Sequence, residues 1–174
     1  MILRLSAKLG KKIKVTPTVL LPVDTKLYVD WSANLFTAAR SQYILISNTV
    51  SLYSIVIFGA GITDKNKLLT RMINSMEELM RQDGDEFIFD LLIAPFASTL
   101  LFSKALNRAV IGSMNDLVFQ SKVFLIEGCM SPFDVSKKLN ETPMSYLKYS
   151  NPRDEFKKMM NNIVPFNLYT RCLH

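Results

Sequence analysis

Between Trp31 and Phe58 the sequence reads as three consecutive β segments, and the last two of them have no polar face. Trp31–Ala38, Gln42–Ser47 and Leu52–Phe58 are rich in β-branched and aromatic residues, with short polar breaks at Arg40-Ser41 and Asn48-Thr49. This predicts a three-stranded antiparallel meander. Ile44, Leu45 and Ile46 are consecutive, as are Ile55, Val56 and Ile57, so side chains leaving either face of the pleat are apolar. Such strands suit the middle of a sheet that is covered on both sides.

The surrounding sequence supplies helices for that cover. From Asp64 to Gln82, Leu68, Leu69, Met72, Ile73, Met76, Leu79 and Met80 form one stripe at helical period. Glu77 is spaced to pair with Arg81, and Gly84 is the expected stop. At that spacing among leucines, Met72, Met76 and Met80 read as core rather than as an adaptable binding face. A medium helix is expected over Met114–Ile126. Ser131-Pro132, Thr142-Pro143 and Asn151-Pro152 each join a capping residue to a proline, which predicts three short C-terminal helices.

Met1–Leu5 reads as a short strand. Ser6–Val15 reads as a short basic helix or turn, capped by Ser6, with Leu9 and Ile13 on its buried side. Residues 16–30 form a loop punctuated by Pro17 and Pro22. Ser98–Ser103 reads as another strand, while Phe87–Ile93 fits a buried strand and a helix equally well. The fold class is therefore α+β: an antiparallel sheet of four to six strands, one long amphipathic helix, one medium helix and several short C-terminal helices. Residues 1–174 form a single domain, with 161–174 as an accessory tail.

Composition narrows the chemistry. The 49% apolar residues are enough for a core without disulfides or a metal. Cys129 and Cys172 match no ligand spacing and give no disulfide framework. The single histidine is His174, the last residue, which sets aside histidine-based nucleophile pairs and zinc sites. Met1–Leu5 begins no long apolar run. The most apolar stretch, Tyr43–Phe58, is interrupted by Ser47, Asn48, Thr49, Ser51 and Ser54, whereas a membrane helix needs about 20 mostly apolar residues. The expectation is a cytoplasmic protein with no membrane association and no cofactor.

The net charge of +6 is concentrated at the chain ends. Arg4, Lys8, Lys11, Lys12 and Lys14 carry it at the N-terminus with no acid among them, the footprint of a nucleic-acid or other polyanion site. The same residues also fit a solvated face, since no aromatic lies among them for base stacking. The densest polar cluster is Asn107-Arg108 followed by Gly112-Ser113-Met114-Asn115-Asp116. Two readings stand. Free N–H groups at a helix start beside Arg108 would attract an anion. Alternatively, Ser113 and Asp116 form a capping box that satisfies the helix itself. Arg40 and Asn48 fall at turns of the meander, and Trp31 and Asn34 open its first strand, with Trp31 reading as core. Asp90, Asp116 and Glu127 are carboxylates whose spacing gives no metal pattern.

Several of these segments together resemble a known family. They are the N-terminal strand with its lysines, the Trp31-Ser32-Ala33-Asn34-Leu35 segment, Arg40 to Asn48, and the run from Asn107 to Asp116 with the pattern N-R-x-V-x-G-S-M-N-D. The chain is similar over about residues 1–160 to small bacterial proteins catalogued as a domain of unknown function. The resemblance carries no activity. It implies that Trp31, Asn34, Arg40, Asn48, Arg108, Ser113, Asn115 and Asp116 belong to a shared pattern, in which histidine often replaces Ser32 or Gln120. The leading expectation is a non-enzymatic binding module for an anionic ligand, a nucleic acid or a phosphorylated or carboxylated small molecule. The alternatives are a histidine-free, metal-assisted phosphodiesterase or nuclease using Asp116, and a protein–protein interaction partner.

Overall fold

The computed structural model describes residues 1–161. The rest of the tail set apart at 161–174, with Cys172 and His174, lies outside the described residues. Five strands form one sheet: β1 (Ile2–Leu5), β2 (Asp30–Ala38), β3 (Ser41–Asn48), β4 (Ser54–Phe58) and β5 (Leu101–Lys104), in the order β4-β3-β2-β1-β5. The meander β2-β3-β4 is antiparallel, as its sequence predicts. Its first turn places Ala39 and Arg40 at φ 46° and 66°, the left-handed pair of a two-residue hairpin loop.

The sheet as a whole is mixed rather than antiparallel, because β1 runs parallel to both β2 and β5. After β1 the chain forms α1 (Ala7–Ile13) and then crosses a long loop before entering β2 in the same direction as β1. Parallel neighbours need such a crossover, whereas antiparallel ones are joined by a hairpin. Ser6 caps α1 by accepting from Leu9 N, and Leu9 and Ile13 are buried, as expected.

Both faces of the sheet are covered. On one face Leu3, Trp31, Ile44, Ile46, Ile55 and Ile57 pack against α1 and α2 (Lys65–Gln82). Asp64 caps α2, Gly84 follows it at φ 73°, and Met72, Met76 and Met80 are core residues. The same face carries an irregular helical segment, which settles the ambiguity at 87–93. It opens as α3 (Glu86–Ile88), widens to a π turn at Phe89–Ile93 and tightens to a 3-10 turn at Ala94–Phe96. The opposite face places Phe36, Tyr43, Leu45 and Val56 against α4 (Arg108–Ile126) and α5 (Pro132–Glu141).

Four boundaries differ from the sequence reading. The medium helix expected from Met114 begins at Arg108, so α4, with 19 residues, is as long as α2 with 18. Asn107 caps it by accepting from Val110 N at 3.0 Å. Gly112 lies inside the helix, where it costs about 1 kcal/mol relative to alanine without breaking the stripe of Val110, Met114 and Leu117. β5 spans Leu101–Lys104 instead of Ser98–Ser103. Thr142-Pro143 starts no α-helix; the chain makes only a 3-10 turn at Ser145–Leu147. Asn151-Pro152 does start one, α6 (Pro152–Asn161), whose Phe156 stacks on Tyr53 with ring centroids 4.8 Å apart. Arg153 and Lys157 of α6 pair with Asp83 and Asp85 beyond the end of α2.

The edge of β4 is closed by side chains rather than by a sixth strand. Asn140 of α5 accepts from Ser54 N (2.7 Å) and donates to Ser54 O (2.9 Å), while Ser136 Oγ accepts from Val56 N (2.8 Å). An unpaired strand edge is a template for aggregation, and a helix laid along it removes that hazard.

Candidate functional site

A buried polar row crosses the sheet on the α4 side. Strand register aligns Ser103, Arg4, Ser32, Ser47 and Ser54 across β5, β1, β2, β3 and β4. All five are buried, and all are hydrogen-bonded. Arg4 Nε and Nη2 donate to Asp30 Oδ1 (2.8 Å) and Oδ2 (2.7 Å). Its remaining donors reach Leu21 O, Pro22 O and Ser103 Oγ. Arg4 is thus not a phosphate-tracking surface residue: its five N–H groups are spent within the fold, pinning the proline-rich loop to the sheet. Ser32 shares a hydrogen bond with Thr49 and Ser47 one with Ser54.

The open space lies at the carboxyl ends of β1 and β5. The two strands are parallel neighbours, with Leu5 opposite Lys104. From β1 the chain turns at Ser6 into α1 on one face. From β5 it passes through Ala105 and Leu106 to Asn107 and into α4 on the other face. Helices leaving adjacent parallel strands toward opposite faces leave a crevice between them, the usual ligand position in open sheets with parallel strands.

Here that crevice consists of two hollows. One, of about 250 Å³, is lined by Ser6, Ser32 and Asn34, with Val110, Ile111 and Met114 of α4 as its wall. The other, of about 400 Å³, is lined by Ser6, Gly10, Lys11, Thr16 and Lys104. They share Leu5, Ser6, Ala7 and Ala105, and no carboxylate lines either one. A larger hollow of about 480 Å³ lies along β4, but it is lined by both Arg71 and Glu78. Arg71 is already committed to Phe58 O and Ala60 O.

The structure gathers only part of the sequence-predicted set. Asn34 lines the first hollow and Lys11 the second. Lys8 and Lys14 are exposed on or beside α1, and Lys12 donates to Gln42 Oε1 at 2.7 Å. Arg108 is exposed at the first position of α4. Ser113 is buried one turn further on and donates to Ala109 O, so the proposed Ser113–Asp116 capping box does not form. Asn115 and Asp116 are exposed in mid-helix.

Arg40 and Asn48 lie at opposite ends of β3, roughly 25 Å apart at ~3.3 Å per residue, so the expected convergence of Arg40, Asn48 and Arg108 is absent. Asn48 is structural. It donates to Leu27 O and Asp30 O and accepts from Val50 N, Ser51 N and Ser51 Oγ. Trp31 is fully buried on the other face and donates to Tyr28 O, as its core reading requires. Among the described residues no group of three His, Cys, Asp or Glu side chains is placed to hold a metal, so Asp90, Asp116 and Glu127 do not converge.

Sequence reasoning missed Ser6, Ser32 and Lys104 as lining residues. Ser6 and Lys104 sit at strand-to-helix junctions, a signal that can be read only once the two strands are known to be parallel neighbours. One helix among the described residues, α4, is long and apolar enough to cross a membrane by length and composition, and a third of it is buried in the fold.

The molecule is therefore an α+β protein with a five-stranded mixed sheet and an acid-free crevice at its parallel strand ends. The chain belongs to the family described as a domain of unknown function, DUF6933, whose family model matches residues 2–155. That match spans all five strands and bears out the family resemblance. No curated protein and no solved structure matches the chain.

Proposed function

We propose that the protein is a non-enzymatic module that binds a small phosphorylated or carboxylated ligand in the crevice beyond β1 and β5. The observation that carries this reading is the composition of the lining. Two lysines, serine hydroxyls and the Asn34 amide face the space, and no aspartate or glutamate does. Lysines approach a phosphate as point charges, hydroxyl and amide groups fix its orientation, and the α4 wall gives an apolar surface for the rest of the molecule. The hollows, at about 250 and 400 Å³, match a small molecule better than a nucleic-acid strand.

The test is an NMR titration of the isotope-labelled protein with pyrophosphate, citrate and a short single-stranded oligonucleotide. Binding in the crevice shifts the amides of Ser6, Asn34, Lys104 and Ala105. Lys104→Glu and Lys11→Glu each weaken it about tenfold, the loss of one charge-assisted hydrogen bond. An oligonucleotide that shifts only residues around Lys8 and Lys14 would replace the crevice by the basic surface of α1. No shift at the crevice amides with any of the three probes refutes the reading.

A further inference from the structure

We propose that α4 pairs with α4 of a second copy of this chain, antiparallel across a two-fold axis near Leu117–Val118. The helix is apolar all round, yet the fold buries only one side of it, through Val110, Met114, Leu117 and Ser121. A helix of that kind in a globular protein is normally enclosed on every side. Its outward face carries Ile111, Phe119 and Ile126, exposed by 44%, 68% and 50%. At ~100° per residue these lie in one arc with Arg108, Gly112 and Asn115. The turn after α5, joined to α4 where Gln120 donates to Met144 Sδ, extends the patch with exposed Tyr146 and Tyr149.

The charges select the partner. Arg108 opens α4 and Glu127 follows its last residue, and neither makes an ion pair among the described residues. The two positions are about 28 Å apart along the axis at ~1.5 Å per residue. An isologous contact turns the second helix end for end, so that every residue contact occurs twice. The axis near 117–118 then sets Arg108 of each copy opposite Glu127 of the other. Each Phe119 lies over the Gly112–Asn115 stretch of the other helix. At Gly112 there is open space where a side chain would stand, so the second helix can approach closely. The face is self-complementary only in the antiparallel sense. Its area is that of one helix pair and its margins, smaller than a standard interface, so the dimer is expected to form at micromolar concentration.

Sedimentation velocity on the full chain over a micromolar concentration series tests this. The apparent mass should rise with concentration from 19.8 kDa toward twice that value. Phe119→Asp, at an exposed position, should hold the protein at the monomer mass with its circular dichroism unchanged. Arg108→Glu should weaken association at least tenfold, and Arg108→Glu combined with Glu127→Arg should restore it. A monomer at every concentration overturns the proposal, as does a dimer indifferent to Phe119→Asp. Failure of the double charge reversal to restore association overturns the antiparallel geometry. A monomeric wild-type chain that floats with lipid vesicles, and loses this with Phe119→Asp, assigns the face to a membrane surface instead.

Discussion

Arg4 Nη2 and Asp30 Oδ2 stand 2.7 Å apart with both side chains completely buried, and the pair joins the central parallel strand to the first strand of the meander. Removing one partner leaves the other as an uncompensated buried charge. Arg4→Met and Asp30→Asn are each expected to destabilise the protein by about 3–5 kcal/mol. Urea denaturation monitored by circular dichroism measures this. Arg4→Met with Asp30→Leu should recover only part of the loss, because the carbonyls of Leu21 and Pro22 still lack a donor.

Asn140→Ala should open the edge of β4. It strands Ser54 N and Ser54 O, both buried, at about 1–3 kcal/mol for each unsatisfied group. Hydrogen exchange resolves the effect by residue: the Ser54 amide should exchange faster, while Val56, still held by Ser136, keeps its protection. Equal loss at both amides would mean that α5 detaches as a unit.

Alkaline pH should weaken the fold through Tyr53. Burial, and after it the nearby Asp83 carboxylate that accepts its hydroxyl, hold the phenol well above its ordinary value. The folded state therefore keeps a proton that the unfolded state gives up near about pH 10. That contribution is intact below the unfolded value and is lost as pH rises above it. In a melting-temperature series, Tyr53→Phe should flatten the fall above about pH 10. At neutral pH it should cost about 1 kcal/mol for the lost hydrogen bond.

Gly10→Ala tests the backbone that floors the second hollow. Alanine in a helix is ordinarily worth about 1 kcal/mol over glycine. Here its Cβ would stand 2.6 Å from Val15 O, and Val15 N is already bonded to Gly10 O at 2.9 Å. The clash is with backbone and cannot be relieved by a rotamer change. A net destabilisation of about 1–3 kcal/mol is expected in thermal melts. A neutral result would show that the turn after α1 yields easily.

The sequence by itself determined those elements whose signals are local. The apolar faces of β3 and β4, the stripe from Leu68 to Met80 and the caps at Ser6, Asp64, Ser131 and Asn151 depend on neighbours within a few residues. The place of Trp31 in the core follows from the same patterns. Tertiary structure decided what depends on pairing across the chain. Whether β2 returns parallel to β1 is set by a crossover whose direction leaves no mark in residues 14–29. Gly112 and the S-x-x-D spacing looked like a helix start. Asn107, six residues earlier, had already capped the helix, and packing of Val110, Met114 and Leu117 on the sheet carried it through the glycine. Arg4 belonged by composition to a basic surface. Only the register that places it between Ser103 and Ser32, one residue from the level of Asp30 on the neighbouring strand, buries it. The crevice was hidden for the same reason: Ser6, Lys104 and Asn34 come from three distant segments, and only parallel pairing of the strands that carry them brings them together.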